Sequence, residues 1–351
     1  MATATKSIQF ENPVQRLAKD HPTTTTAFDG VAVILAVWFM AGLFLDGWAH
    51  SHNQVDSFFT PWHGVLYSGF LANAAFITWT WIKNIRKGGY TFWGAIPAGY
   101  ELSLVGAAIF AVGGGLDFLW HTILGIEVNF EALVSPSHLV LALGLFLIIS
   151  GPFRAAWRRA STSSSTLVSL LPMLLSLTFT LSVLTFFTFP LHPFVNAWAG
   201  TSQGTDNIVV EGAFAAILLQ SAFLMGCLLV AMRRWQLPFG SIALIMTINT
   251  AALSVITLKV RFIPAALLTG LLADMLILTL KPSVKNLWAF RTFAFVIPTV
   301  LYLLYFATLT ITSQVWWSVP LWSGAAVLAG VIGLLVSYVT LPSPALAIPK
   351  D

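Results

Sequence analysis

Ten long apolar stretches, separated by short polar segments, run along the chain: roughly 28–49, 61–82, 97–121, 136–157, 165–189, 208–231, 237–257, 262–280, 290–312 and 320–340. Each is close to the roughly 20 residues a helix needs to cross a bilayer. The runs are continuously apolar and do not alternate, which predicts helices and not barrel strands. The expected fold is therefore all-α, a polytopic integral membrane helix bundle of about ten transmembrane helices. The count is weakest over 237–280, where Lys259 and Arg261 separate two short runs with almost no loop. A tight hairpin there gives ten helices. A re-entrant element gives eight, with the same orientation elsewhere.

The polar segments carry an orientation. If the N-terminus lies inside, 15 of the 17 Lys and Arg residues fall on inner segments, and only Lys259 and Arg261 do not. That bias is what the positive-inside rule expects. Both termini are then inside, and the expected location is a plasma or inner membrane. Residues 1–27 read as a polar inner tail without a signal peptide, and within them 8–17 reads as a disordered stretch with a weak amphipathic pattern. A single transmembrane domain spans 28–341, with a short tail over 342–351. Within that domain 28–160 carries the chemistry, and 161–341 supplies further helices.

Composition agrees with this picture. The 351 residues are 57% hydrophobic and only 9% charged, against roughly 25% charged in a soluble domain, and mean hydropathy is +0.84. The net charge of +4 follows from the inner basic residues and is no sign of nucleic acid; the bilayer is the expected partner. One cysteine, Cys227, excludes an internal disulfide and thiolate metal clusters. Any metal must be held by His, carboxylate, amide or Met.

The remaining polar residues repeat a pattern. Asp46 and His50 end the first apolar stretch and His63 opens the second; Asp117 and His121 end the third and His138 opens the fourth. Each copy reads L-D-x-x-x-H, a loop, then [S/T]-P-x-H. The aspartates are 71 residues apart and the second histidines 75, which reads as a parallel duplication of two helical hairpins. Asp46 and His50, like Asp117 and His121, are i and i+4 on one helix face. Thr60 and Ser135 suit helix N-caps, with Pro61 and Pro136 at the first helical position. In an antiparallel hairpin each set closes into a two-His, one-carboxylate triad, which leaves coordination positions open. Six of the seven histidines and seven of the 13 acids fall on the outer side, so the motifs are expected to be extracytoplasmic. One dinuclear site and two separate sites both fit the spacing. His52, His192, Asp206 and Glu211 read as loop residues, and Asp274 as an interhelical hydrogen-bond partner. Gly113, Gly114 and Gly115 read as close helix packing or a kink before Asp117. Trp48, Trp62 and Trp120 read as an aromatic belt.

The first motif, Asp46-x3-His50-x12-His63, resembles the copper-binding pattern in the C subunit of particulate methane and ammonia monooxygenases. The resemblance covers about 100 residues. It implies that Asp46, His50 and His63 are copper ligands. Asp117, His121 and His138 would then stand in for the family's neighbouring Asn/His/His set, with Asp117 in place of Asn. It also implies oxidase or monooxygenase chemistry on a small apolar or lipid-soluble substrate, with other membrane subunits or an electron donor as partners. The chain departs from that family in its larger helix number and its longer second loop, and methane or ammonia as substrate does not follow. The triad itself also admits iron or zinc. A zinc-dependent membrane hydrolase, a metal or proton transporter and a bis-His haem b protein stay open. Transport is disfavoured by the apolar stretches beneath the motifs, and haem leaves both aspartates idle.

Overall fold

In the computed structural model, residues 21–52, 59–125, 130–159 and 166–341 are described. They form ten principal helices: α1 (Thr26–Ser51), α2 (Pro61–Lys87), α3 (Glu101–Leu124), α4 (Pro136–Arg158), α5 (Leu167–Phe187), α6 (Asn207–Met232), α7 (Ser241–Thr257), α8 (Ile263–Leu280), α9 (Leu287–Thr312) and α10 (Val319–Thr340). Among the described residues, all of these except the 17-residue α7 are long and apolar enough to cross a membrane. The expected amphipathic pattern over 8–17 lies outside the described residues.

Local chemistry sets the ends. Thr25 caps α1 by accepting from the Phe28 amide, Thr166 and Ser169 form a reciprocal capping box on α5, and Asp206 accepts from the Ile208 and Val209 amides at the start of α6. Proline occupies the first turn of α2, α4, α8 and α10, where its missing N–H costs nothing. The third span starts at Glu101 and not at 97, because Gly94 to Gly99 form turns, with Gly99 at φ 95°.

The weak region over 237–280 folds as an antiparallel hairpin of α7 and α8. Its turn places Leu258 in the left-handed region. The Asp274 carboxylate accepts from the Ile242 and Ala243 amides at 2.9 and 3.1 Å. It thereby supplies the cap that α7 lacks from its own N-cap, Gly240, and meets the expectation of an interhelical partner.

Hairpins α1/α2 and α3/α4 are the two most tightly interlocked parts of the first half. A Cβ on Gly42 would lie 2.4 Å from Leu66 Cα, and one on Gly69 would lie 2.7 Å from Phe39 Cα. In the second hairpin a Cβ on Gly144 would lie 2.7 Å from the Phe110 amide nitrogen, and Gly113 packs on Leu141. Small residues let helix backbones approach where lipid offers no hydrophobic drive. One apolar core joins these hairpins to faces of α5 and α7 through Phe179, Val183, Leu253 and Ile256. A second core fills the space among α5 to α10.

The end of the bundle opposite His50, His63, His121 and His138 holds a buried ion network. Asp29, fully buried, accepts from Tyr100 Oη at 2.8 Å and pairs with Arg159. Arg158 pairs with Glu101. Arg154 donates to the Gly99 carbonyl at 3.0 Å and to Ser103 Oγ and the Leu147 carbonyl at 2.8 Å. The apolar reading of the first four stretches misses Asp29, which one turn of α1 carries below the surface.

Candidate metal centre

The last turn of α1 presents Asp46 and His50, and the first turn of α2 presents His63. Asp46 Oδ1 lies 3.1 Å from His63 Nε2 and 3.8 Å from His50 Nε2. The second hairpin repeats the arrangement. Asp117 Oδ1 lies 3.3 Å from His138 Nε2 and 3.5 Å from His121 Nε2. All six residues singled out by the sequence are thus gathered into two groups of three, and within each group the ligand atoms fall within 4.8 Å of one another.

Two features fit these groups to a metal ion. The first is the carboxylate. Asp117 is 3% exposed, and Oδ1 of both Asp46 and Asp117 is buried without a properly directed hydrogen bond. A buried carboxylate oxygen without such a bond is expensive, whereas a cation between it and the converging imidazole nitrogens would satisfy it. The second is what holds the rings. Thr60 Oγ1 lies 3.1 Å from His63 Nδ1, and Ser135 Oγ lies 2.8 Å from His138 Nδ1. His121 Nδ1 lies 3.3 Å from the Gly125 carbonyl. An Nδ1–H donated to these oxygens leaves Nε2 with its lone pair aimed at the aspartate, which is how outer partners orient metal-binding histidines.

This corrects one expectation. Thr60 and Ser135 do occupy N-cap positions with extended backbone, but neither side chain caps its helix. The hydroxyl turns to the imidazole three residues on. The [S/T]-P-x-H string is therefore a ring-orienting device as well as a helix start.

The glycine run before Asp117 acts through packing. Gly113 packs on Val140 and Leu141, and Gly114 makes room for the ring of Tyr67, whose carbon would sit 3.1 Å from an added Cβ. Tyr67 stands one turn beyond His63, with the two ring centres 6.5 Å apart. Beneath lies an aromatic floor: Phe39 meets Phe110 edge to face at 5.0 Å, and Phe110 stacks on Phe70 at 4.5 Å. A site floored in this way has a closed lower end.

Above the floor is a cavity of about 580 Å3, into which Asp46 and His50 project from one triad and His138 from the other. The far wall comes from the end of α5 and the following loop, through Phe186, Phe187, Val195 and Trp198. Gly47 permits the approach of that wall, since a Cβ there would lie 2.5 Å from the Phe186 ring.

The expectation of loop positions holds for His192 and, just past the end of α1, for His52, but not for Glu211, which lies within α6. His192 is buried, and its Nδ1 accepts from the Phe194 amide at 3.1 Å; burial pushes its pKa down to about 3. His52 Nδ1 lies 2.9 Å from the Trp48 carbonyl, and Asp206 is the cap of α6. Tyr67 and the two ring-orienting hydroxyls are the parts sequence reasoning missed. Tyr67 had no signal of its own, while the hydroxyls were visible as a repeated residue type three positions before a histidine.

Compared with known proteins, the chain matches no family model, no curated protein and no solved structure. Fold and site together define a class: a polytopic helical membrane protein carrying two Asp/His/His groups able to hold metal ions.

Proposed function

We propose that this chain is a membrane metalloprotein that binds copper at two Asp/His/His sites and acts as an oxidase or monooxygenase on an apolar substrate. The observation that carries the metal reading is the pair of buried Asp Oδ1 atoms, each facing two imidazole Nε2 atoms within 3.8 Å. Copper is supported by the resemblance of the first motif to the monooxygenase C subunit; three protein ligands with open positions suit oxygen chemistry at copper or iron. The bound metal would supply dioxygen activation. A monooxygenase of this kind places one oxygen atom in the substrate and reduces the other to water, with two electrons and two protons from a donor. A partner subunit or a diffusible carrier would be that donor. The chain's own residues hold the metal, orient the rings and shut the site off below. The Arg-rich opposite end of the bundle supports placing the triads on the extracytoplasmic side. The two hairpins also share helix packing: Gly42 and Gly113, and Phe39 and Phe110, are 71 residues apart like the aspartates. This supports an internal duplication.

The aromatic floor of Phe39, Phe70 and Phe110 disfavours transport through the first four helices. Metal analysis with optical and spin-resonance spectra, on protein purified without chelator and then loaded with copper, tests the reading. Near two coppers per chain, with nitrogen hyperfine structure, is expected. Zinc alone redirects the case to a hydrolase, and a Soret band to haem. Absence of any metal, with stability unchanged in His50→Ala and His121→Ala, overturns the metal reading.

A further inference from the structure

The two triads do not open onto separate surfaces. Asp46 and His50 of the first and His138 of the second line the same cavity of about 580 Å3. Its ionisable groups, Asp46, His50 and His138, gather on one side with Ser51, while Asn196 and Thr257 are the polar residues of the opposite wall. Leu43, Leu66, Phe110, Leu141 and Leu145 make its floor, and Phe186 and Phe187 its far wall. The volume falls in the roughly 300–1,000 Å3 range of pockets that enclose one small organic molecule. It is far larger than a one-carbon gas requires. Ionisable groups confined to one wall favour one orientation for an occupant with a single polar end, and the apolar majority of the lining sets its class.

We infer that this chamber binds a single apolar molecule of medium chain or small-ring size bearing one hydrogen-bonding group, and holds that polar end between the two triads. The inference deepens the proposed function, and it rests on that reading for what becomes of the ligand but not for its binding. It assigns the second half of the chain a task. The loop after α5, with Val195, Asn196 and Trp198, and the end of α7, with Thr257, close the chamber although they hold no metal ligand. The loop is pinned from behind, since Trp317 Nε1 donates to the Gly204 carbonyl at 3.0 Å and the Trp316 amide to the Ala199 carbonyl at 2.8 Å. The chamber wall is therefore built into the fold and does not wait for a ligand to form it.

The test is photolabelling of the full-length protein in lipid nanodiscs with a diazirine-bearing 1-decanol, with the labelled peptides mapped by mass spectrometry. Label is expected on the end of α1, the start of α4 and the 186–198 segment. Unlabelled 1-decanol should displace it, and methanol at equal concentration should not. Two variants fill the chamber from opposite walls: Ala142→Phe on α4, and Thr257→Phe on α7, whose buried hydroxyl makes no hydrogen bond. Both should lose the label and keep the wild-type metal content. If either variant also loses metal, the displacement experiment on the wild-type protein decides. Equal labelling of lipid-facing Leu139 and Leu143, insensitive to competitor, overturns the inference. So does equal displacement by methanol. Equally strong labelling of the same peptides by a phospholipid with the diazirine in its acyl chain makes the occupant a bilayer lipid, and overturns it too. Intact labelling of a protein that binds no metal leaves the chamber standing and removes only the metal reading.

Discussion

Ser135 Oγ sits 2.8 Å from Nδ1 of His138, and the backbone between them makes the contact nearly automatic. Pro136 fixes the first helical residue, and the hydroxyl at the cap position then meets the ring of the third. Thr60 and His63 repeat it at 3.1 Å. Removing the hydroxyl leaves the ligand in place but unoriented. Ser135→Ala should weaken metal binding at the second site by about 10–100-fold, and Ser135→Thr should restore it. Competition against a chelator of known affinity measures this; equal affinities for all three proteins would make the hydroxyl a bystander.

Asp117 is nearly fully buried, and its Oδ1 makes no properly directed hydrogen bond. Without metal that atom costs the protein stability; with metal it is a ligand. Asp117→Ala should therefore hold about half the wild-type metal if the two groups are separate sites. The metal-free variant should be no less stable than the metal-free wild type, because the cost of a buried unsatisfied group, about 1–3 kcal/mol, is reduced. Thermal unfolding of both forms checks this. A large loss of stability in the metal-free variant would point to a structural clamp.

Helix contact at Gly69 and open space at Gly115 provide a paired control. A Cβ at Gly69 would fall 2.7 Å from Phe39 Cα, while nothing lies within 4 Å of one at Gly115. Gly69→Ala should force α1 and α2 apart, cost about 1–3 kcal/mol and lower metal content at the first triad. Gly115→Ala should leave both unchanged. Unfolding and metal analysis on the two variants separate packing from any general intolerance of alanine.

His192 gives the fold an acid limit. Its Nδ1 accepts the Phe194 amide, so the ring must stay neutral there, and burial lowers its pKa to about 3 from about 6.5 in an unfolded chain. Between those values the unfolded state binds the extra proton. The contribution is fully present above about pH 6.5 and is lost progressively as pH falls toward 3. His192→Asn, whose side-chain oxygen still accepts, should flatten the dependence of thermal stability on pH across that window. An unchanged slope would place the acid sensitivity elsewhere.

At the other end of the bundle, Asp29 is wholly buried against Arg159 and Tyr100. Arg159→Met alone leaves the carboxylate without its charge partner and should cost about 3–5 kcal/mol. Asp29→Asn combined with Arg159→Met should recover much of that loss. A double-mutant cycle by chemical unfolding measures the coupling, and additive effects would show that the two residues act independently.

Helix positions and ligand groups were legible because both rest on local rules. The apolar length marks each span, and i,i+4 spacing puts Asp46 with His50 and Asp117 with His121. Hairpin geometry then delivers His63 and His138. Less legible were contacts that depend on how whole helices lie against one another. Tyr67 gained its place beside His63 and Phe110 only when Gly114 admitted its ring. Asp29 was hidden as one charge in an apolar run, and its partner Arg159 lies 130 residues away. The chamber was not readable at all, since its walls come from α1, α4, α5 and α7 together.

That shared wall separates two kinds of change. The residues able to hold metal sit on α1 to α4, while Phe187, Val195 and Trp198 line the chamber from beyond them. Substitutions in the 187–198 segment can redraw the list of accepted molecules without touching a ligand atom. A lineage of such proteins would therefore keep one metal chemistry and diversify its choice of molecule, with sequence divergence heaviest in a loop that carries no motif.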